Sequence, residues 1–226
     1  MSIQMTTPLQ TKIQMNKRLF VTVGTTKFDP LIESTTNSSF IKRMYSYGYN
    51  RFIIQYGKGI PPLKEYYEKA TSTSTEKSSS ISFQHDGIKF EIYTFKPSLE
   101  EDMQNADLII SHAGAGSIME GMEHCRRRNK SNSSSITRIA SKNCNNFPKD
   151  KKKLVVVIND QLMDNHQCEL AQALEKRGYL YVISKPVLLL QENMLDKIIH
   201  EFTPRSFEGG NDKSFGLLVD DFMGYK

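Results

Sequence analysis

The sequence reads Asp107-Leu-Ile-Ile-Ser-His-Ala-Gly-Ala-Gly-Ser117 near the middle of the chain. Its apolar run predicts a buried β-strand, its glycines predict a tight turn, and the apolar spacing that follows predicts a helix. In doubly wound α/β folds, strands lead through such turns into helices, and ligands bind at the carboxyl ends of the strands. The stretch therefore predicts an α/β fold with a ligand site at this turn.

The same alternation continues on both sides of this stretch. Apolar, β-rich runs bounded by turn residues occur at 18–23, 51–56, 88–95, 107–111, 154–158 and 179–183. Segments with helical spacing accompany them at 29–45, 61–70, 97–106, 116–125, 165–176 and 186–200. Parallel neighbours need a crossover connection, and a helix supplies it. The order predicts a Rossmann-like, doubly wound, mostly parallel sheet with helices on both faces.

Length and composition predict one domain with extensions. In a chain of 226 residues with 38% hydrophobic content, we expect a flexible N-terminus at 1–17, a domain at 18–202 and a tail at 203–226. Two stretches, near 71–82 and 126–152, are rich in small polar and charged residues and are predicted to be disordered loops. No apolar run is long enough to span a membrane, and the N-terminus has no apolar signal core. We therefore expect a cytosolic protein.

The net charge of +5 comes from one segment. Residues 126–153 contain ten basic side chains and a single acidic one, Asp150. There is no recognisable nucleic-acid module, and Phe147 is the only aromatic residue in the segment, so we expect no nucleic-acid partner. The segment is interpreted as a solvated surface loop, with contact to an anionic membrane surface as the alternative.

Two of the predicted turns could offer backbone groups to a ligand. Gly24-Thr25-Thr26 follows the first strand, where a small turn lets the backbone approach a ligand closely, although a simple tight turn explains it equally well. Gly114-Ala115-Gly116-Ser117 opens a helix, whose free amides can hold phosphate oxygens, and we expect a diphosphate there. Neither turn matches the P-loop or the dinucleotide-binding glycine pattern.

Polar side chains around these turns are further candidates. Glu120 lies one turn into the helix and could accept hydrogen bonds from a ribose, or it could be an ordinary surface glutamate. His112 either donates to a phosphate or caps the turn. After the strand at 154–158, Asp164 is a plausible helix N-cap, and Asn165-His166-Gln167 supply the donors and acceptors that a sugar needs.

Four motifs in order give the chain a specific resemblance. They are Phe20-Val-Thr-Val-Gly-Thr-Thr-Lys-Phe28, Phe52-Ile-Ile-Gln-Tyr-Gly57, Asp107–Ser117 and Asn159-Asp-Gln-Leu-Met-Asp-Asn-His-Gln167. Together they resemble the catalytic subunits of the eukaryotic two-subunit UDP-GlcNAc transferases, which carry the glycosyltransferase family 28 C-terminal domain. The resemblance extends from about Arg18 to Phe222. It implies the donor-binding C-terminal half of a GT-B glycosyltransferase, with the acceptor-binding half on a separate, membrane-anchored subunit.

The resemblance also implies an activity and a set of site residues. The implied reaction is inverting transfer of GlcNAc from UDP-GlcNAc to GlcNAc-diphosphate-dolichol, forming a β-1,4 linkage at the cytosolic face of the endoplasmic reticulum during N-glycan precursor synthesis. The residues implied to bind UDP-GlcNAc are Gly24, Thr25, Thr26, His112, Ala113, Gly114, Ala115, Gly116, Ser117, Glu120, Asn165, His166 and Gln167. The tail from residue 203 is too apolar for a free terminus, and we expect it to dock on this chain or on another. The residues expected to bind the partner are Phe215, Leu218, Val219 and Phe222.

The catalytic base is expected to come from the partner, with His112 or His166 as second choices. Amides at the glycine-rich turn would stabilise the departing diphosphate, so we expect no metal and no cofactor beyond the donor substrate. Two alternatives stay open. A non-catalytic scaffold could keep the nucleotide-sugar pocket, and a nicotinamide-dependent oxidoreductase could share the sheet, although Gly24-Thr25-Thr26 lacks the glycines that admit a pyrophosphate.

Overall fold

The computed structural model of the chain describes residues 16–73, 80–135, 151–159 and 165–205. Seven strands form one sheet. In chain order they are β1 (Lys17–Thr22), β2 (Tyr49–Gln55), β3 (Ile81–His85), β4 (Ile88–Tyr93), β5 (Leu108–His112), β6 (Lys153–Val157) and β7 (Tyr181–Ile183).

Helices connect most of these strands. The α-helices are α1 (Asp29–Thr35), α2 (Ser38–Ser46), α3 (Lys64–Thr73), α4 (Glu100–Asn105), α5 (Ala115–Ser135), α6 (Asn165–Lys176) and α7 (Glu192–Asp196). A 3₁₀ turn at Pro186–Leu190 precedes α7, and a π-helical turn at Lys197–Glu201 follows it. Among the described residues, no helix is both long and apolar enough to cross a membrane.

The strand order is β3-β4-β2-β1-β5-β6-β7. All pairs are parallel except β3 with β4, which form an antiparallel hairpin. The chain first builds outward from β1 through β2 to β4 and then returns to place β5 on the other side of β1. The order therefore reverses between β1 and β5, and a crevice at the carboxyl ends of these two strands is where such folds bind ligands.

Each central strand is apolar on both faces because helices cover both. In β5, Leu108 and Ile110 belong to the core cluster on the α1, α2 side, and Ile109 belongs to the cluster that includes residues of α5 and α6. All three side chains are almost fully buried. Such continuous apolar strands are typical of parallel sheets between helical layers, and the predicted fold class is confirmed.

The structure differs from the sequence prediction at the β3 hairpin. Residues 81 and 82, expected in a disordered loop near 71–82, belong to β3, and residues 71–73 belong to α3. The hairpin turns at Asp86 and Gly87, both with positive φ, and the Phe83 ring stacks on that of Phe90 with centroids 5.4 Å apart. The strand was missed because its partner and its stacking contact are tertiary. Residues 74–79 lie outside the described residues.

A second difference concerns the basic segment. The helix α5 runs to Ser135, so residues 126–135 are helical where a disordered loop near 126–152 was expected. At the start of the basic segment, the guanidinium of Arg126 makes two hydrogen bonds to Glu123, which lies one helical turn earlier in α5. Such pairs stabilise a helix. Residues 136–150 lie outside the described residues.

The end of the basic segment is interior, contrary to the expectation of a solvated loop. The Lys152 side chain is fully buried, and its ammonium donates to the backbone carbonyls of Met103 and Gln104 at the end of α4. Lys153 donates in the same way to the carbonyls of Ile198 and Ile199. Helix ends leave carbonyls without intrahelical partners, and a cation satisfies them well. Charge density along the sequence could not show that these two lysines cap helices.

The single helix predicted at 29–45 is two helices. The chain leaves α1 at Thr36, and Asn37 then caps α2 by accepting a hydrogen bond from the amide of Ser39, 2.9 Å away. A side-chain oxygen at this position satisfies an amide that the new helix leaves without a partner. The break lies away from the crevice and changes nothing at the predicted site.

Candidate functional site

The first wall of the crevice is the turn after β1. Gly24 has a φ of +61°, which strains any residue with a side chain. Its amide donates to the Thr22 hydroxyl at 3.0 Å, and the Thr26 hydroxyl donates to the Val23 carbonyl at 2.8 Å. These bonds tie the turn to its own strand, so Gly24, Thr25 and Thr26 present a defined backbone at the crevice.

His112 fills the space between the two glycine turns. It is the last residue of β5, and a Cβ at Gly24 would lie 2.9 Å from its Cε1 atom. A Cβ at Gly114 would collide with its Nε2 atom. Glycine is therefore required on both sides of one imidazole ring, and this ring brings the turns after β1 and β5 together.

The electrostatics of His112 favour a neutral ring. Its Nδ1 atom is buried and has no hydrogen-bond partner among the described residues. Burial lowers the pKa of His112 below its usual value of 6.5, and the backbone of Thr22 acts more weakly in the opposite direction. At neutral pH the ring is therefore mostly uncharged, and one of its two nitrogens can donate a hydrogen bond.

The second wall is the start of α5. The Gly114 carbonyl accepts the first helical bond from the Ile118 amide at 2.9 Å, which makes Gly114 the N-cap. Within the described ranges, the amides of Ala115, Gly116 and Ser117 have no protein acceptor. Gly116 is exposed, and a Cβ added to it would meet nothing within 4 Å. Free amides, the positive end of a 21-residue helix and open space are the features that anion-binding helix starts share, so this turn is the candidate anion site.

The structure describes the remaining predicted residues to different extents. Glu120 is exposed on the second turn of α5, the helix that begins at the candidate anion site. Ala113 is buried in the core and contributes backbone only. Asn165, His166 and Gln167 form the first turn of α6, whose start follows β6 beside β5. Their side chains, like residues 160–164, lie outside what the structure describes, and their contact with a sugar stays a prediction.

Sequence reasoning missed two buried polar residues beside the crevice. Thr22 and Gln55 end β1 and β2, are 0% and 1% exposed, and bond to each other through their side chains. A signal was present, because a Thr and a Gln close two otherwise apolar strands and buried polar groups require partners. Their mutual contact depends on the register of the strands, in which Thr22 lies opposite Gln55.

Other expectations cannot be placed on the structure. The tail residues Phe215, Leu218, Val219 and Phe222 lie outside the described residues, as do residues 1–15. In the part of the chain that is described, no group of three or more His, Cys, Asp or Glu side chains is arranged to hold a metal ion.

Comparisons with known proteins concern the family and the fold of the chain. Residues 18–125 match the family model for the glycosyltransferase family 28 C-terminal domain. The chain is 39% identical over 172 residues to the human protein called UDP-N-acetylglucosamine transferase subunit ALG13, covering 76% of this chain but 11% of that protein. The mouse counterpart is also covered over 11% of its length, so the chain spans about a tenth of these relatives. The subunit of the same name from Kluyveromyces lactis is 32% identical over 185 residues, 75% of this chain and 80% of that protein.

Two solved structures share the fold. An NMR structure of ALG13 has a TM-score of 0.56 at 23% identity and covers 90% of this chain and 94% of that chain. MurG from Acinetobacter baumannii has a TM-score of 0.51 at 14% identity, covering 95% of this chain and 51% of MurG. The family expected from the four motifs is thus confirmed by the Kluyveromyces lactis relative, which the chain covers over 80% of its length. The fold is shared with both solved structures. The chain belongs to the glycosyltransferase family 28 C-terminal domain family, among the proteins called UDP-N-acetylglucosamine transferase subunit ALG13.

Proposed function

We propose that this chain is the donor-binding subunit of an inverting glycosyltransferase. It binds UDP-GlcNAc and, with a membrane-anchored partner, transfers GlcNAc to GlcNAc-diphosphate-dolichol with β-1,4 linkage. The observation that carries the proposal is the open start of α5. The amides of Ala115, Gly116 and Ser117 are free there, and a Cβ at Gly116 would meet nothing within 4 Å among the described residues. The start of α5 lies beside the Gly24 turn at the point where the strand order reverses.

The geometry suits a diphosphate leaving group. When the glycosidic bond to UDP breaks, negative charge builds up on the diphosphate, and donors already oriented toward that charge lower the barrier. The α5 amides and helix dipole supply such donors without reorganisation. Neutral His112 adds an N–H donor, and its Nε2 atom faces Gly114 at the same helix start. No step of this mechanism needs a metal ion, so we propose transfer without one.

The residues proposed to bind the ribose and the sugar of the donor are assigned from their positions in the fold. Glu120, exposed on the same helix, would accept hydrogen bonds from the ribose hydroxyls. Asn165, His166 and Gln167 begin α6 beside the carboxyl end of β6 and would contact the GlcNAc hydroxyls. Thr25 and Thr26 line the opposite side of the crevice.

The base that deprotonates the acceptor is assigned to the partner. His112 is a poor base for this purpose because its ring is wedged between Gly24 and Gly114 and its Nδ1 atom is buried. A base must reach the acceptor hydroxyl to within hydrogen-bond distance. His166 remains the second choice within this chain.

One observation supports a partner: the relatives are called subunits of a transferase. We propose that the partner anchors the pair at the cytosolic face of the endoplasmic reticulum and carries the acceptor lipid. The tail at 203–226 is proposed to contribute to docking.

The test is transfer of radiolabelled GlcNAc from UDP-GlcNAc to a GlcNAc-diphosphate-lipid acceptor, with and without membranes that carry the partner. We expect product only when both subunits are present, and loss of product with His166→Ala. Gly116→Trp should also abolish transfer while leaving the fold intact, because its side chain enters open space. Donor binding without product in the reconstituted pair would favour a scaffold. NADH binding in a fluorescence titration would favour an oxidoreductase.

A further inference from the structure

The segment Phe52–Gly57 is one of the four motifs, yet the proposed function gives it no role. Its last residues lie at the carboxyl end of β2, next to the Gly24 turn. Gln55 and Thr22 are both almost fully buried there. The Thr22 hydroxyl donates to the Gln55 side-chain oxygen and accepts from the Gly24 amide, so it links β2 to the turn after β1.

The loop after β2 braces the same turn from a second direction. Gly57 has a φ of +59°, and a Cβ there would collide with the Thr26 carbonyl and lie 2.9 Å from the Gly24 carbonyl. The Lys58 amide donates to the Thr26 carbonyl at 3.0 Å. The two loops are therefore in backbone contact, which only glycine at residue 57 allows.

On its far side the Gly24 turn rests on His112. A Cβ at Gly24 would lie 2.9 Å from the imidazole, and a Cβ at Gly114, the N-cap of α5, would come closer still and collide with it. A continuous line of contacts thus runs from Gln55 through Thr22, Gly24 and His112 to the anion site. It crosses three neighbouring strands, β2, β1 and β5.

We propose that Thr22 and Gln55 are positioning residues that hold the Gly24 turn against His112 and thereby set the width of the crevice for the donor diphosphate. The proposal rests on the proposed function. Neither side chain touches the donor, because both are buried below the turn. Their effect passes through the Gly24 amide.

The simpler explanation is that two buried polar groups satisfy each other and contribute only to stability. A matched control separates the two explanations. Thr35 is also 0% exposed, and its hydroxyl donates to the carbonyls of Leu31 and Ile32 within α1, away from the crevice. Thr22→Val and Thr35→Val each replace one buried hydroxyl by a methyl group of nearly the same size. Only Thr22→Val should loosen the Gly24 turn.

The test is titration of each purified full-length variant with UDP-GlcNAc, well below its unfolding temperature. We expect Thr22→Val to bind about tenfold more weakly than wild type, the size of effect that loss of one buried hydrogen bond gives. Thr35→Val should bind like wild type although its unfolding temperature falls. Thr22→Ser keeps the hydroxyl and should restore binding, and Gln55→Leu should weaken it in the same direction as Thr22→Val.

A second readout needs no ligand. In amide hydrogen-exchange NMR, Gly24 should exchange faster in Thr22→Val, and the ring signals of His112 should shift, while Thr35→Val leaves both unchanged. Equal donor affinity for Thr22→Val and Thr35→Val would overturn the positioning role, as would an unchanged Gly24 amide. If the wild-type chain bound no UDP-GlcNAc, the proposed function would be wrong, because every variant would then fail to bind as well. A loss of binding confined to the Thr22 and Gln55 variants would instead support the positioning role.

Discussion

Replacing Gly116 by alanine separates binding from folding at the proposed diphosphate site. Gly116 is exposed in the first turn of α5, and a Cβ there meets nothing within 4 Å in the part of the chain that the structure describes. In the unliganded chain the methyl group therefore causes no clash. Alanine is favoured over glycine in a helix by up to about 1 kcal/mol, so Gly116→Ala should leave the free energy of unfolding unchanged or raise it slightly.

The effect on binding should have the opposite sign. Phosphate oxygens bond amides with N···O distances of about 2.9 Å, which requires the ligand to touch the backbone where the new methyl group stands. Displacing the diphosphate weakens charge-assisted hydrogen bonds, each contributing about 1.5–3 kcal/mol. A net loss of about 2 kcal/mol corresponds to roughly 30-fold weaker binding.

Isothermal titration with UDP measures the affinity, and urea unfolding measures the stability of the same samples. Gly121→Ala is the matched control on the same helix. Its Cβ would lie 3.0 Å from Leu154 Cδ1, so this variant should change stability through packing and leave UDP affinity unchanged. If Gly116→Ala bound UDP as tightly as wild type, the diphosphate would not lie over the first turn of α5, and the reasoning about the site would be wrong.

Three further predictions concern other parts of the chain. Lys152→Met should lower the free energy of unfolding by about 2 kcal/mol in urea titrations, because the terminal carbonyls of α4 lose their buried donor; unchanged stability would exclude the capping role. Arg126 and Arg127 lower the pKa of Glu123 from 4.5 to about 2. The ionised Glu123 carboxylate therefore contributes stability that is fully present above about pH 4.5 and is lost as the pH falls toward 2. Glu123→Gln should flatten acid unfolding in that window, by less than about 1 kcal/mol because the pair is solvated. NMR titration should place the pKa of His112 below 6.5, and UDP should raise it, since a nearby anion favours the imidazolium; a pKa unaffected by saturating UDP would separate His112 from the diphosphate.

The alternation of strands and helices could be predicted because each element carries its own periodicity. The start and end of α6 at Asn165 and Lys176 match the prediction, since polar residues mark the start and Gly178 follows the end. The start of α5 was placed within one residue for a similar reason. The β3 strand was missed because Phe83 gains its stability from stacking on Phe90 in another strand.

The candidate site likewise contains residues that the sequence predicted and contacts that it could not predict. Gly24, His112 and Gly114 were found by reading the turns after strands, because small residues at such turns are a local signal. The packing of His112 between Gly24 and Gly114 could not be predicted, because Gly24 is 88 residues earlier in the chain than His112. The partnership of Thr22 with Gln55 depends on strand register and was also invisible.

The sequence alone determined the fold class, the family and the glycine-rich start of α5, since each depends on residue type and spacing over a short window. Tertiary structure decided which lysines are interior and which residues brace the crevice. Lys152 belongs to a run of basic residues, from which a solvated side chain was predicted. Its side chain is buried instead, because the last carbonyls of α4 require a hydrogen-bond donor there. Such contacts join residues far apart in the chain, and only the packed sheet brings them together.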